Sequence, residues 1–149
     1  MSLINESVGE YTSKVFEKYR DNEALVYVED NRRYTYEKLN YEVDMIAKSF
    51  ISIGVKKGDH IALLSSNSPE WIIIFLATLK IGAVSVCLNV SATEEELDYM
   101  LKQSESTILI VSDKDMIEKV DLEKFDYLKI TLKMKTLFNL GYTDRKSVV

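Results

Sequence analysis

The residues with chemistry to offer are few. Ser65-Ser66-Asn67-Ser68 sets hydroxyls and an amide side by side between an apolar run, His60 to Leu64, and an apolar segment that begins at Pro69. In open parallel sheets, ligands bind in the crevice beyond the carboxyl ends of the strands. This loop is therefore the one place where the sequence points to ligand contact. Capping of the next helix by Ser68, with Pro69 in its first turn, explains much of the same pattern without a ligand. If Asn67 caps instead, Glu70 completes a box-like pair.

His60 is the only histidine and Cys87 the only cysteine. A lone histidine is a poor metal site, and an ordinary strand-end residue is the simpler reading. A Cys87–His60 nucleophile pair would need both groups together. On adjacent parallel strands one would sit near the start and the other near the end, more than about 10 Å apart at ~3.3 Å per residue. An inert core cysteine is expected. Glu94-Glu95-Glu96 reads as a charge cluster that the dipole favours at a helix start. Lys56-Lys57 and Arg32-Arg33 read as solvated turns. Trp71 reads as core rather than as a platform for a ligand. No catalytic, cofactor-binding or metal-binding residue is assigned.

Phosphate cradles need closely spaced glycines. The chain has Gly9, Gly54, Gly58, Gly82 and Gly141, with no G-x-G among them. Gly54 and Gly58 bracket a helix stop rather than open a helix. A Walker loop and a dinucleotide fingerprint are excluded, and the glycines read as caps and turns.

The elements that would position the polar loop follow from periodicity. Val8, Tyr11, Thr12, Val15, Phe16 and Tyr19 make one stripe of a helix of about three turns. Ala24 to Val28 and Arg33 to Thr35, joined by a turn at Glu29 to Arg32, suggest a small hairpin. Thr35 caps a second helix with Leu39, Val43, Ile46, Ala47, Phe50 and Ile53 on one face. Gly54 stops it, with Val55 as the following apolar contact. His60 to Leu64 is a strand, and Pro69 to Ile81 is a helix apolar nearly all round, so buried on most sides. After Gly82, Ala83 to Leu88 is a strand without alternation apart from Ser85, as in sheets covered on both faces. Ser91 or Thr93 caps the next helix, Thr107 to Val111 is another buried strand, and Lys114 to Val120 a short helix.

This alternation predicts an α/β fold: an open, mostly parallel sheet flanked by helices, with a small N-terminal hairpin. Residues 1–120 form that unit. Residues 121–149 are an extension of mixed signals, in which Leu128 to Lys135 alternates like an edge strand and the tail from Gly141 is polar and frayed.

Composition narrows the class. The chain has 149 residues, 46% hydrophobic and 29% charged, the balance of one globular domain. A net charge of −5 argues against a nucleic-acid partner. The longest apolar run, Trp71 to Ala77, is far short of the roughly 20 residues of a membrane span. The opening MSLINESVGE lacks the basic and apolar regions of a secretory signal. A single cysteine forms no internal disulfide, so a cytoplasmic, reducing location is expected.

An ordered set of residues also carries a family resemblance: Tyr34-Thr35-Tyr36-Glu37-Lys38-Leu39, Ala47, Gly54-Val55-Lys56-Lys57-Gly58-Asp59-His60-Ile61-Ala62, Asn67-Ser68-Pro69-Glu70, Leu76-Ala77, Lys80-Ile81-Gly82-Ala83-Val84 and Leu88-Asn89. In this order and spacing, over about residues 5 to 115, the chain resembles the start of an adenylate-forming enzyme of the AMP-binding superfamily, acyl-CoA synthetases among them. Cys87 and Val90 stand where prolines are often found, and the match fades after Val120. The resemblance implies a parent enzyme that uses ATP and Mg²⁺ to turn a carboxylic acid, with fatty acids the expected class, into an acyl-adenylate, then passes the acyl group to coenzyme A. The Ser/Thr/Gly-rich phosphate loop and the catalytic lysine of such enzymes are not represented in the chain. The expected function is that of an N-terminal fragment, inactive alone and holding no cofactor, whose partner is the remainder of the parent. The alternatives are a stand-alone interaction module that keeps the fold and, more weakly, a flavodoxin-like nucleotide binder using Ser65 to Ser68. Self-association is expected, because a sheet cut short exposes an edge.

Overall fold

The computed structural model describes residues 4–113, 116, 118–120 and 122–143. The first helix, α1 (Val8–Lys18), starts on a capping box in which Ser7 and Glu10 satisfy each other's backbone N–H groups. Its buried residues are Gly9 and Phe16, while Val8 and Tyr11 of the expected stripe are exposed. Gly9 explains the rotation. A Cβ there would lie 3.0 Å from the Leu79 carbonyl oxygen, so only glycine lets the helix come this close to the segment around Leu79. Gly9 is a helix-contact residue and not the cap or turn that the sequence suggested.

The hairpin pairs β1 (Glu23–Tyr27) with β2 (Arg32–Thr35). The Thr35 hydroxyl then accepts the Lys38 N–H and caps α2 (Tyr36–Ser52). Next come β3 (His60–Leu64), α3 (Pro69–Lys80), β4 (Val84–Leu88), α4 (Glu94–Gln103), β5 (Ile108–Val111), a 3-10 turn at Leu122–Lys124, β6 (Ile130–Lys133) and α5 (Met134–Thr143). Strand order is β4-β3-β5-β6, all parallel, with His60 beside Val84, Ile61 beside Ile108, and Ile108 beside Ile130.

Side chains alternate across this sheet and feed two cores. On one face Ile61, Leu63, Ile108 and Ile110 pack with Ile46 and Phe50 of α2, Ile73 and Ile74 of α3 and Leu137 of α5. On the other, Ala62, Leu64, Leu109 and Val111 pack with Leu97 and Leu101 of α4 and with Val120 and Phe125. Both central strands are covered on both sides, which is why they read as unbroken apolar runs.

Three expectations need correction. β4 is not covered on both faces: it is the last strand in the order, and Val84 and Cys87 are exposed. An apolar run marks a strand without fixing its place in the sheet. α3 is buried along Ile73, Ile74, Ala77 and Thr78, but Trp71, Ile72, Phe75 and Leu76 are only half-buried. The polar tail expected from Gly141 begins inside α5, which runs to Thr143. Leu137 anchors that helix in the core, fully buried. The alternating stretch does form an edge strand, β6. Of the short helix expected over Lys114 to Val120, Met116 and Glu118 are helical, and Lys114, Asp115 and Ile117 lie outside the described residues.

Candidate functional site: a crevice at the carboxyl ends of the strands

Beyond Leu64 the chain leaves β3 through Ser65 to Ser68 and enters α3 on the α2 face of the sheet. Beyond Val111 it leaves the adjacent strand β5 through Ser112 and Asp113. It then passes to the opposite face, where Met116 and Val120 pack with the α4 core. Neighbouring parallel strands whose chains part to opposite faces create a crevice at their carboxyl ends, the switch point at which open α/β sheets bind ligands. The cavity measures about 520 Å³. It is lined by the two loops, by Tyr27 and Glu70, and by Lys135 and Phe138 of α5.

Most of its polar groups are engaged locally. Ser68 caps α3 by accepting the Trp71 N–H at 3.1 Å, with Pro69 at the first helical position. The Ser65 hydroxyl donates to the Ser66 carbonyl at 2.8 Å. The Ser112 hydroxyl donates to Asp113, which also accepts the Met116 N–H. Arg32 reaches from the hairpin to grip Glu70 and Asp30, its guanidinium 5.2 Å from the Tyr27 ring. Donating this hydrogen bond to the Glu70 carboxylate raises the guanidinium pKa further above its ordinary value. Arg32 is thus a clamp between hairpin and crevice rather than a solvated turn residue. Only its separation of 38 positions from Glu70 hid the pairing. Arg33 pairs with Glu23 at the surface, in line with the solvated reading.

His60 and Cys87 are not brought together. His60 pairs in register with Val84 and Cys87 with Leu63, so they sit three positions apart along the strands and on opposite faces. The His60 Nδ1 meets the Ser104 carbonyl at 2.5 Å. Cys87 is exposed, contrary to the buried thiol expected. Trp71 is half-buried, stacked on Phe75 at 5.3 Å. With Leu25, Tyr27 and Ile72 it lines a second hollow of about 350 Å³ beside the crevice. Glu94 to Glu96 occupy the first turn of α4, where Glu96 closes a capping box with Thr93 and Glu94 pairs with Lys124.

The crevice does not fit a magnesium–triphosphate group. Among the described residues lining it there is one cation, Lys135, against the carboxylates of Glu70 and Asp113. Among the described residues no cluster of three or more His, Cys, Asp or Glu could hold a metal. Among the same residues, no helix is long and apolar enough to cross a membrane.

Comparison with known proteins agrees with this architecture. The family model described as AMP-binding enzyme matches residues 12–144. The Bacillus subtilis protein YngI is 40% identical over 111 residues, covering 74% of this chain and 20% of YngI. Mouse ACSF2, named as a mitochondrial medium-chain acyl-CoA ligase, is 37% identical over 101 residues, covering 68% of this chain and 16% of ACSF2. The chain therefore spans about a fifth or less of the length of the curated relatives it matches. Among solved structures, the N-terminal subdomain of Klebsiella oxytoca NpsA, in complex with 3-hydroxyanthranilyl-AMSN, superposes with a TM-score of 0.79 at 27% identity. That alignment covers 90% of this chain and 32% of the other. The N-terminal domain of Mycobacterium tuberculosis FACL13 shares the fold, with a TM-score of 0.84 at 22% identity over 93% of this chain and 36% of that one. The chain belongs to the AMP-binding enzyme family and corresponds to the N-terminal part of such an enzyme.

Proposed function

We propose that this chain is the N-terminal α/β part of an acyl-CoA synthetase-type ligase. The parent activates a carboxylic acid, with fatty acids the expected class, at the expense of ATP, and transfers the acyl group to coenzyme A. The chain alone does not adenylate. Its partner in that activity is the remainder of the parent, which would supply the phosphate loop, the magnesium site and the catalytic lysine. The relatives named as acyl-CoA ligases support the parent reaction. The observation that carries the inactivity is the crevice itself: it lies at the switch point, yet the hydroxyls of Ser65, Ser68 and Ser112 are tied into local hydrogen bonds and its described charges balance against a polyanion. Stabilising a transferring phosphoryl group needs preorganised donors and positive charge. A cytoplasmic, reducing location suits the exposed, unpaired Cys87.

The test is carboxylate-dependent ATP–pyrophosphate exchange by the purified chain, with a panel of fatty acids and Mg²⁺. No exchange above a mock purification is expected. Exchange that follows the chain through a second, orthogonal purification would overturn the reading. The alternative, a stand-alone interaction module with the fold and without the chemistry, draws its support from the open β4 edge and the apolar hollow beside Trp71.

A further inference from the structure

Four described strands lie at a sheet edge, and three of them carry charge. β1 begins at Glu23, β2 begins with Arg32-Arg33, and β6 ends on the exposed Lys133. Charges on an edge keep other chains from adding to it. β4, Val-Ser-Val-Cys-Leu, has neither charge nor proline, and Val84 is 42% exposed. Nothing in its sequence guards it.

We propose that β4 pairs antiparallel with β4 of a second copy of this chain, about a two-fold axis at Val86. The ladder fixes what the open edge presents. Val84 donates its N–H across to the Asp59 carbonyl at 2.9 Å. Hydrogen bonding then alternates along the strand, so Val84, Val86 and Leu88 turn their backbone groups to β3, while Ser85 and Cys87 turn theirs to the open side. A two-fold at Val86 sets Ser85 opposite Cys87 of the second copy, and Cys87 opposite Ser85. Each is a pair of outward-facing residues able to exchange both N–H···O bonds. Val86 meets itself at the axis, and Val84 meets Leu88, on the face where Val86 and Leu88 already join the α4 core. On the other face the Ser85 hydroxyl and the Cys87 thiol, 3.8 Å apart within one copy, meet their equivalents. The strand is thus its own complement: apolar opposite apolar, small polar opposite small polar, and no charge at the seam. This argues for a second copy over a foreign strand. The pairing stands independently of the proposed ligase activity, since it uses no residue of the crevice.

Light scattering over a wide concentration range should give twice the 17.1 kDa chain mass. C87K places a charge on the exposed edge position and should give a monomer with an unchanged far-ultraviolet circular dichroism spectrum. In the S85C variant, position 85 and Cys87 of the second copy come within about 5.5 Å between Cα atoms, inside the range that a disulfide spans. Mild oxidation should therefore give a reducible dimer band, absent when C87S is added. A wild-type chain that stays monomeric overturns the proposal, as would an edge covered by another segment of a longer polypeptide. So does a dimer that survives C87K and gives no band with S85C, which would place the contact on another surface.

Discussion

The two ends of the central sheet are built differently. At the amino end three of the four strands, β3, β4 and β5, are entered through the same device. α2 stops with Gly54 N–H to the Ile51 carbonyl and Val55 N–H to the Phe50 carbonyl. α3 stops with Gly82 to Leu79 and Ala83 to Thr78, and α4 with Glu105 to Lys102 and Ser106 to Leu101. These are three Schellman stops in succession, each turning a helix directly into a strand or the short turn before it. At the carboxyl end the chain instead leaves β3 and β5 by polar loops that diverge around a cavity of about 520 Å³. The closed end sets the register of helices against sheet. The open end can vary in sequence at little cost to the fold, and that freedom suits it to host a ligand or the rest of an enzyme.

If this division holds, a core substitution at the closed end should cost far more than a change at the open end. Phe50→Ala, at a side chain with 0% exposure beneath the first stop, should lower unfolding free energy by about 3–5 kcal/mol. Ser66→Ala, at an exposed residue lining the crevice, should shift it by no more than about 0.5 kcal/mol. Urea denaturation of both variants provides the comparison, and equal effects would break it. Gly82→Ala sharpens it at the second stop. Gly82 holds φ +73°, and a new Cβ would meet the Lys57 side chain at 3.0 Å. A loss of about 1–2 kcal/mol is expected from the left-handed backbone. The third stop gives the smallest effect of the three stops, with the opposite sign. Glu105 adopts φ 51° without being glycine. Glu105→Gly should relieve that conformation and raise stability by up to about 1 kcal/mol, seen as a higher melting temperature.

Much of this was legible in the sequence, for local reasons. Thr35, Ser68 and Thr93 cap because a short polar side chain before an apolar-periodic run has one favoured partner, the backbone N–H three residues on. Gly54 and Gly82 announce their stops in the same way. Glu105 performs the same task with no glycine to mark it, and so gave no signal. The crevice could be placed from Ser65 to Ser68 because strand order in a βαβ unit is constrained. Its other walls, Lys135 and Phe138, could not, since α5 reaches it only through tertiary packing. The Arg32–Glu70 clamp, the close approach of Gly9 to α3 and the edge position of β4 are likewise long-range facts. Each depends on which element becomes a neighbour, and the periodicity of a single segment does not carry that information.

The proposal that the chain alone does not adenylate rests on a crevice with the location of a ligand site whose described lining sets one cation, Lys135, against two carboxylates. Isothermal titration of the purified chain with Mg–ATP, and with AMP, FMN and coenzyme A in parallel, tests it most directly. No saturable heat is expected at millimolar ligand. Saturable binding of any of them, abolished by substitution of Lys135 with the fold intact, would contradict it.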